Sequence, residues 1–437
     1  MVLRALEISF SLFRHTFYPS LVSLANSSPL PFYEGIRNAF EKLGPAFVKL
    51  GQFFSIREDL VGPAFASVME KLQDSAAPME FSVVRSVVER ELAAPLPELF
   101  ASFEPLPLAS ASVSQVHRAR LHTGEEVAVK VLRPEAKTLL LGDARLLAGM
   151  ANLLHRTGLF KKHIDLPAFA LEIQKSAEAE VDFRREAEVS ERFARNFKTP
   201  LSPRIPRIFW SHTTEKILTA EYIPGKKISD PSLRREEGYP ELAEQGAEFF
   251  LRQVLDHGLF HADLHPANLL VSESGEITYL DFGINGELSE EERHAIFGTL
   301  AGLLAEDAPL ALRHLKKLGV RVDREREAAF AEDIRRAMES AMTGKLKDAD
   351  LRVIGRGILG AVRRNRVAFP HKYALLIKAL LTVEGSARTL HGDFDFAKAA
   401  RRYLLTSFAG KRGAGLIIQA TYRGAMLCAL AGNGGVR

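Results

Sequence analysis

The chain has 437 residues, of which 46% are apolar and 26% are charged. This balance is typical of folded globular proteins and excludes a disordered chain. The net charge is only +4, so the composition gives no indication of a nucleic-acid partner. A single cysteine, Cys428, excludes an intramolecular disulfide and a cysteine-based zinc site, which suits a reducing compartment.

The first hundred residues (1–104) are predicted to be mostly helical, since they contain no long alternating strand pattern. The longest uncharged run, Thr16 to Tyr33, contains three prolines, which disfavour a helix that spans a membrane. The apolar C-terminal tail is broken by glycines and by Arg423. We therefore expect no transmembrane segment and no secretory signal peptide. An amphipathic contact of either end with a membrane surface stays open.

A proline-rich stretch, residues 95–110, marks a predicted boundary between this helical part and a β-rich part. Two β-branched runs follow, 113–121 and 125–132, joined by a turn that ends at Gly124, and they predict a pair of strands. The second run contains VAVK and holds the stem of Lys130 in a packed strand. An ammonium fixed in this way suits pairing with nucleotide phosphates, although a single strand lysine is more often a surface residue.

Between Pro107 and Gly124 there is no glycine, although a phosphate-binding loop of a kinase would lie there. When Lys130 is aligned with the kinase strand lysine, small residues occupy the glycine positions, which restricts positive φ and keeps the backbone farther from phosphates. Serine hydroxyls are expected to donate hydrogen bonds instead. The predicted nucleotide-binding residues are Ala109, Ser110, Ala111, Ser112, Val113, Ser114, Val116, Ala128, Lys130 and Glu221. The alternative is an ordinary strand end rich in small residues.

Helical periodicity returns over 138–157 and 166–196. Within the second segment Glu186 lies on a largely apolar stripe, which is unusual for a solvated acid and makes it the predicted partner of Lys130. The alternative is an exposed charged helix in which the acids pair with neighbouring arginines. The segments RIPRIFWSH and KILTAEYI then predict another strand pair, and PGKKISDP predicts a hinge.

The second half of the chain begins with a predicted amphipathic helix over 239–257, followed by HADLHPANLLV. Asp263 and Asn268 lie five residues apart, the spacing with which a phosphotransferase loop supplies a proton acceptor and a magnesium ligand. His261 is expected to brace this loop. A predicted hairpin then brings Asp281 of YLDFG beside Asn268, so that both offer hard oxygen ligands at its open end.

Taken together, these residues make the chain resemble the atypical protein-kinase-like family known as UbiB, ABC1 or ADCK, over roughly residues 30–400. Two motifs are absent from ordinary protein kinases: Lys49, Gly51 and Gln52 resemble the KxGQ signature, and Glu180 with Asp182 resembles the ExD motif. The alanine-rich loop, VAVK, HADLHPANLL and DFG resemble the other family motifs.

The resemblance implies an α+β, two-lobed protein-kinase-like fold with an N-terminal helical extension. In that family the KxGQ helix packs over the nucleotide cleft and contacts the ExD acids. The expected domains are the extension at 1–104, an N-lobe at 105–224 with the loop, strand lysine and ExD helix, and a helical C-lobe at 225–437 with the catalytic loop and DFG.

The resemblance also implies an ATP- and ADP-binding, Mg²⁺-dependent enzyme that transfers phosphoryl groups to water, a small molecule or a lipid. Asp263 would orient or deprotonate the acceptor, and Asn268 and Asp281 would hold the metal. Lys130 would contact phosphates and Glu186 would hold Lys130. The implied role is support of ubiquinone (coenzyme Q) or other isoprenoid-lipid biosynthesis, with a lipid or quinone-pathway enzymes as partners. The implied location is cytoplasmic, with a peripheral contact at the inner face of a membrane.

Two alternatives differ in class. One is a small-molecule phosphotransferase of the aminoglycoside or choline kinase type, whose catalytic loop resembles HADLHPANLL but which gives no role to Lys49 or Glu180. The other is a non-catalytic scaffold that binds nucleotide and lipid. Retention of Asp263, a proton acceptor that binding alone does not need, argues against the scaffold.

Overall fold

The computed structural model describes residues 2–72, 76–157, 166–198, 202–233, 239–304, 307–341, 351–367 and 369–409. The chain divides into two compact units. One consists of Met1–Arg195 with Ile205–Ile223, and the other of Asn196–Arg204 with Pro224–Arg437. Within the described residues no helix is long and apolar enough to cross a membrane. The C-terminal tail with Arg423 and Cys428 lies outside the described residues.

Seven helices open the first unit, as the sequence predicted for residues 1–104. They are α1 (Val2–Ala25), α2 (Leu30–Leu43), α3 (Pro45–Ile56), α4 (Glu58–Val61), α5 (Pro63–Glu70), α6 (Phe81–Leu92) and α7 (Leu96–Leu99). The uncharged run from Thr16 is partly helical, because α1 continues through Pro19 to Ala25. A partly buried ion pair between Arg4 and Asp143 fastens the start of α1 to the unit.

A four-stranded antiparallel sheet follows in the order β1-β2-β3-β4. Its strands are β1 (Ser102–Ser110), β2 (Ser114–Arg120), β3 (Glu126–Leu132) and β4 (Ile217–Glu221). The two strands around Gly124 were predicted, but β1 was not, because its prolines indicated a boundary. The prolines fit because β1 is an edge strand whose register shifts on both sides of Pro107, and edge strands tolerate the missing N–H.

Three helices, α8 (Ala136–Thr157), α9 (Leu166–Glu180) and α10 (Phe183–Asn196), complete the first unit. The prediction of one continuous helix over 166–196 was therefore wrong. The chain breaks at Val181 and Asp182, where the Asp182 side chain accepts a hydrogen bond from the N–H of Arg184 in the manner of a helix N-cap. At the same point the N–H of Phe183 donates to the carbonyl of Glu215.

The prediction of a strand over RIPRIFWSH was also wrong. This segment forms two isolated β-bridges, of Arg204 with Thr278 and of Ile208 with Ala220, and then a 3₁₀ turn over Trp210–His212. Pro206 carries no N–H for a strand ladder, which limits the pairing. KILTAEYI was predicted correctly, since it contains β4.

The second unit contains small strands and mostly helices. Its strands are β5 (Lys226–Lys227), β6 (Leu259–His261), β7 (Leu269–Val271), β8 (Ile277–Tyr279) and β9 (Asn285–Glu287), in sheets β5-β7-β8 and β6-β9. Its helices are α11 (Pro240–Arg252), α12 (Glu290–Leu304), α13 (Ala308–Lys317), α14 (Glu327–Ala341), α15 (Leu351–Arg364), α16 (His371–Leu390) and α17 (Phe396–Ala409). The predicted amphipathic helix is α11, continued by a π-helical turn to His257.

Candidate functional site

The side chains of strand β3 alternate between its two faces, and this alternation separates the buried residues from the predicted site residues. Val127, Val129 and Val131 are fully buried on one face, where they pack in one cluster with the valines of α6. Successive side chains of a strand point to opposite faces, so Ala128 and Lys130 project from the other face. Val116 of β2 is paired with Lys130 and shares that face.

Lys130 is held by Glu186 of α10. Its Nζ lies 2.9 Å from each carboxylate oxygen, and the ammonium lies over the ring of Phe183, 5.1 Å from its centroid. The Glu186 side chain is only 7% exposed. Two hydrogen bonds to a charged acceptor and one aromatic face fix the position of the ammonium.

The KxGQ and ExD residues meet through one ion pair. Lys49 Nζ of α3 lies 2.9 Å from the carboxylate of Glu180 at the end of α9. Asp182 instead caps α10, and Gln52 lies on α3 one turn after Lys49. Gly51 lets α3 approach its neighbours, because a Cβ there would lie 2.0 Å from Leu72 Cδ1.

The alanine-rich loop between β1 and β2 is held by an arginine that sequence reasoning missed. Arg133 donates from Nε to the carbonyl of Ala111 (3.0 Å) and from Nη2 to Ser110 Oγ (2.9 Å). Its backbone N–H donates to the carbonyl of Val113. The loop is therefore fixed by hydrogen bonds from the residue that follows β3 and not by glycine turns. The only available signal was an arginine directly after the strand that ends in Leu132.

The other predicted loop residues differ in placement. Val113 and Ser114 are buried, whereas Ala109, Ser110, Ala111 and Ser112 are partly or fully exposed. Ser114 opens β2 opposite Leu132, so the accessible part of the loop is residues 109–112. Glu221 ends β4, and its backbone N–H donates to the carbonyl of Arg207.

In the second unit His261 braces the loop of HADLHPANLLV, as the sequence predicted. Its Nδ1 accepts from the N–H of Asp263 (3.1 Å), and its Nε2 lies 3.2 Å from the carbonyl of Leu280. Burial lowers the pKa of His261, and the two contacts define a neutral ring that donates from Nε2. Gln253, which the sequence did not single out as polar support, is buried and accepts from the N–H of His261.

The hairpin of β7 and β8 brings the predicted metal residues to one end. Leu269 pairs with Tyr279, and the N–H of Leu280 donates to the carbonyl of Asn268. Asn268 and Asp281 are thus next to each other across the open end. Asp281 adopts a left-handed backbone, with φ of 51°, and its Oδ1 accepts from the N–H of Gly283. A non-glycine residue in this region is uncommon and typical of functional sites.

The donor set at this end suits a hard cation. Asp281 contributes an exposed carboxylate, and Asn268 donates from Nδ2 to the carbonyl of Asp263 (3.1 Å), which leaves its amide oxygen as an acceptor. Mg²⁺ is commonly held by one or two such oxygens together with substrate phosphates. The residues present therefore fit Mg²⁺ bound together with a nucleotide.

Comparisons with known proteins define the class. The ABC1 atypical kinase-like domain matches residues 71–315, and the UbiB helical domain matches residues 334–395. The chain belongs to the UbiB/ABC1 family of atypical kinase-like proteins. The predicted family and the kinase-like α+β fold class are thereby confirmed.

Two similar proteins illustrate the range of this likeness. The uncharacterized protein sll1770 of Synechocystis sp. is 34% identical over 381 residues, which are 86% of this chain. The chain spans 65% of the length of that relative. The solved Rv3197–erythromycin complex from Mycobacterium tuberculosis shares the fold, with a TM-score of 0.50 and 23% identity over 80% of this chain and 93% of that one.

Proposed function

We propose that the protein binds ATP with Mg²⁺ and catalyses transfer of the γ-phosphoryl group. The observation that carries this proposal is the Lys130–Glu186 pair, in which both carboxylate oxygens lie 2.9 Å from the ammonium. A strand lysine held by a helix glutamate is the arrangement that kinases use to engage nucleotide phosphates. The donor set of Asn268 and Asp281 supports the metal part of the proposal.

In this reaction the acceptor is a hydroxyl, which in the simplest case is water. The acceptor oxygen bonds to the γ-phosphorus while the bond from that phosphorus to the β–γ bridging oxygen breaks. ADP leaves with the electron pair, and the acceptor proton passes to the carboxylate of Asp263. Asn268 and Asp281 hold Mg²⁺, which when bound neutralises charge on the phosphate oxygens. The pair of Lys49 with Glu180 supports this family type over an aminoglycoside or choline kinase, in which these residues have no role.

Nucleotide binding is tested by thermal denaturation of the purified chain with and without Mg·ADP. The expected result is a rise in melting temperature that disappears in Asp281→Asn, whereas Asp393→Asn, at an exposed position, keeps it. ATP hydrolysis by the same preparations, with Asp263→Asn expected to be slower by at least about a hundredfold, tests turnover. An unchanged Mg·ADP shift in Asp281→Asn would contradict the metal role.

The loop without glycine is proposed to restrain phosphoryl transfer to proteins. Alanine at its glycine positions keeps the backbone farther from phosphates, and Arg133 fixes that geometry. In Ala111→Gly the nucleotide affinity should change or autophosphorylation should appear, measured by calorimetry and by incorporation of labelled phosphate. A variant identical to the parent protein in both assays contradicts this role.

The biological process proposed is support of ubiquinone or other isoprenoid-lipid biosynthesis, on the strength of family membership. The test is deletion of the gene followed by profiling of quinones and isoprenoid lipids. Rescue by the intact protein but not by Asp263→Ala or Lys49→Met is expected. Full rescue by Asp263→Ala would instead favour the non-catalytic scaffold.

A peripheral membrane contact through α1 is also part of the proposal. One side of α1 presents seven apolar side chains, each at least 52% exposed: Leu3, Leu6, Phe10, Phe13, Phe17, Leu21 and Leu24. Their spacing of three and four residues places them on a single stripe. The opposite side, with Ile8 and Leu12, packs into the unit, so the helix lies flat with the stripe outward. A lipid surface suits this stripe, because aromatic and aliphatic residues dominate it and it carries no charge.

The contact is tested by flotation of the protein with phosphatidylcholine–phosphatidylglycerol vesicles. Phe10→Ser/Phe17→Ser is expected to abolish flotation. Leu106→Ser, which changes another exposed apolar side chain on β1, serves as the control. If the parent protein fails to float and is a dimer that the double substitution dissociates, the stripe covers a second copy instead.

A further inference from the structure

The loop aspartate has a cationic neighbour that comes from outside its loop. Lys378 of α16 places Nζ 3.7 Å from Asp263 Oδ1. The other Lys and Arg side chains of α16 pair elsewhere: Lys372 with Glu292 and Arg388 with Glu384. Among these three cations of α16, Lys378 is thus the one whose partner lies on the catalytic loop.

A second nitrogen atom approaches from within the loop. His265 Nε2 lies 3.6 Å from Asp263 Oδ2, so each carboxylate oxygen faces one nitrogen. Both distances exceed the length of a hydrogen bond. The carboxylate is therefore oriented by its ion pair with Lys378, while its lone pairs stay available for the proton of an acceptor. The Asp263 and Lys378 side chains are 25% and 30% exposed, which keeps both accessible.

Helix α16 is attached to the same loop at a second point. Ser386 Oγ donates to the carbonyl of Leu264, 2.9 Å away, and this contact is buried. The backbone residue that follows Asp263 is thus tied to the helix that carries Lys378. This contact fixes the backbone of the helix that carries Lys378 relative to the loop that carries Asp263.

We propose that Lys378 is a positioning residue for Asp263, so that the C-terminal helical domain contributes directly to phosphoryl transfer. The inference rests on the proposed function, in which Asp263 receives the acceptor proton. Lys378 orients the carboxylate for that proton, whereas the phosphates are assigned to Lys130. Its loss should slow turnover without weakening nucleotide binding.

The test is steady-state ATP hydrolysis by the full chain with saturating Mg²⁺. Lys378→Met keeps the length of the side chain and removes its charge, and Lys378→Gln is a second such variant. Both are expected to lower kcat at least about tenfold, while KM for ATP changes less than about twofold. Lys378→Arg should restore activity to within about threefold of the parent protein. Lys372→Met, on the same helix, is the matched control and should leave turnover unchanged.

A double substitution separates positioning from a general effect. Asp263→Asn/Lys378→Met should be no slower than Asp263→Asn alone, because the lysine acts through the carboxylate. The inference is overturned if the losses of turnover from the two substitutions multiply in the double variant. It is also overturned if Lys378→Met and Lys378→Gln turn over at the rate of the parent protein, and in both cases the proposed function stands. Absence of any turnover and of any Mg·ADP thermal shift in the parent protein overturns the proposed function, and this inference with it.

Discussion

Arg133 donates through its guanidinium to the carbonyl of Ala111 and to the hydroxyl of Ser110. A third hydrogen bond reaches the carbonyl of Ala77, 2.8 Å away. One side chain thus connects the alanine-rich loop to the segment that precedes α6. In many phosphate-binding loops glycine conformations define the shape, whereas here the shape depends on an arginine.

Replacing Arg133 by Met should therefore loosen the loop. We expect weaker binding of Mg·ADP, by roughly three- to tenfold, since hydrogen bonds to charged groups contribute about 1.5–3 kcal/mol each when buried and less when partly exposed. Isothermal titration calorimetry measures the affinity, and hydrogen exchange over residues 109–114 measures loop protection. Arg120→Met, which removes a surface pair on β2, is the control. Unchanged exchange in Arg133→Met would contradict the role of this arginine.

Glu186 should matter for turnover more than for stability. Glu186→Gln keeps the size of the side chain but removes the charge that holds Lys130, so we expect a fall in ATP hydrolysis of at least about tenfold. The unfolding free energy should fall by about 1–3 kcal/mol, less than for a fully buried pair, because Lys130 is 17% exposed. Glu188→Gln, at an exposed position on α10, should lower neither ATP hydrolysis nor the unfolding free energy. Parent-like hydrolysis by Glu186→Gln would argue against a role for Lys130 in binding phosphates.

Gly51→Ala tests the packing of the KxGQ helix. The added Cβ would lie 2.0 Å from Leu72 Cδ1 and 3.2 Å from Phe40 Cδ2, and overpacking typically costs about 1–3 kcal/mol. Gly149→Ala in α8 meets nothing within 4 Å and should stabilise by up to about 1 kcal/mol through helix propensity. Chemical denaturation of both variants measures the contrast. Two variants of equal stability would show that α3 does not approach Leu72 and Phe40 so closely.

His117 predicts a dependence of stability on pH. Burial lowers the pKa of His117, whose ring lies between Gln115 and the carbonyl of Glu104. The folded state therefore keeps this ring neutral at a pH where the unfolded state, with a pKa of about 6.5, binds a proton. The unfolding free energy should decrease as the pH falls below about 6.5, by at most about 1.4 kcal/mol per pH unit.

Denaturation at pH 7.5, 6.5 and 5.5 measures this slope. His117→Gln should have a smaller slope, since its side chain takes up no proton. His122→Gln, at an exposed turn position, should keep the slope of the parent protein. Equal slopes in the parent protein and His117→Gln would show that this histidine is protonated in the folded state.

Many of the candidate site residues could be predicted from periodicity and from the hairpin pattern. Alternation along VAVK separates the buried valines from Lys130, and helical spacing singled out Glu186 as an acid on an apolar stripe. The hairpin argument predicted that Asn268 and Asp281 would be neighbours, because two short strands with a tight turn bring their flanks together. These predictions depend on short distances along the chain.

The features that escaped prediction depend on partners far away in sequence. Proline at β1 is compatible with a strand only because no further strand pairs with its outer edge, and that is a property of the sheet. Arg133, Gln253 and Lys378 are residues of common types whose partners lie on other elements. Nothing in their local patterns distinguishes them from solvated side chains.

The break between α9 and α10 carries a geometric consequence for the two lysine–glutamate pairs. Glu180 and Glu186 are six residues apart, which in a continuous helix would turn one about 240° away from the other. An unbroken rod would thus aim the two acids at different sides of its axis. Because the helix is interrupted at Val181 and Asp182, the direction in which Glu180 points does not depend on the direction in which Glu186 points. Lys49 and Lys130, from a helix and a strand that are far apart in sequence, can each meet an acid of the same short segment.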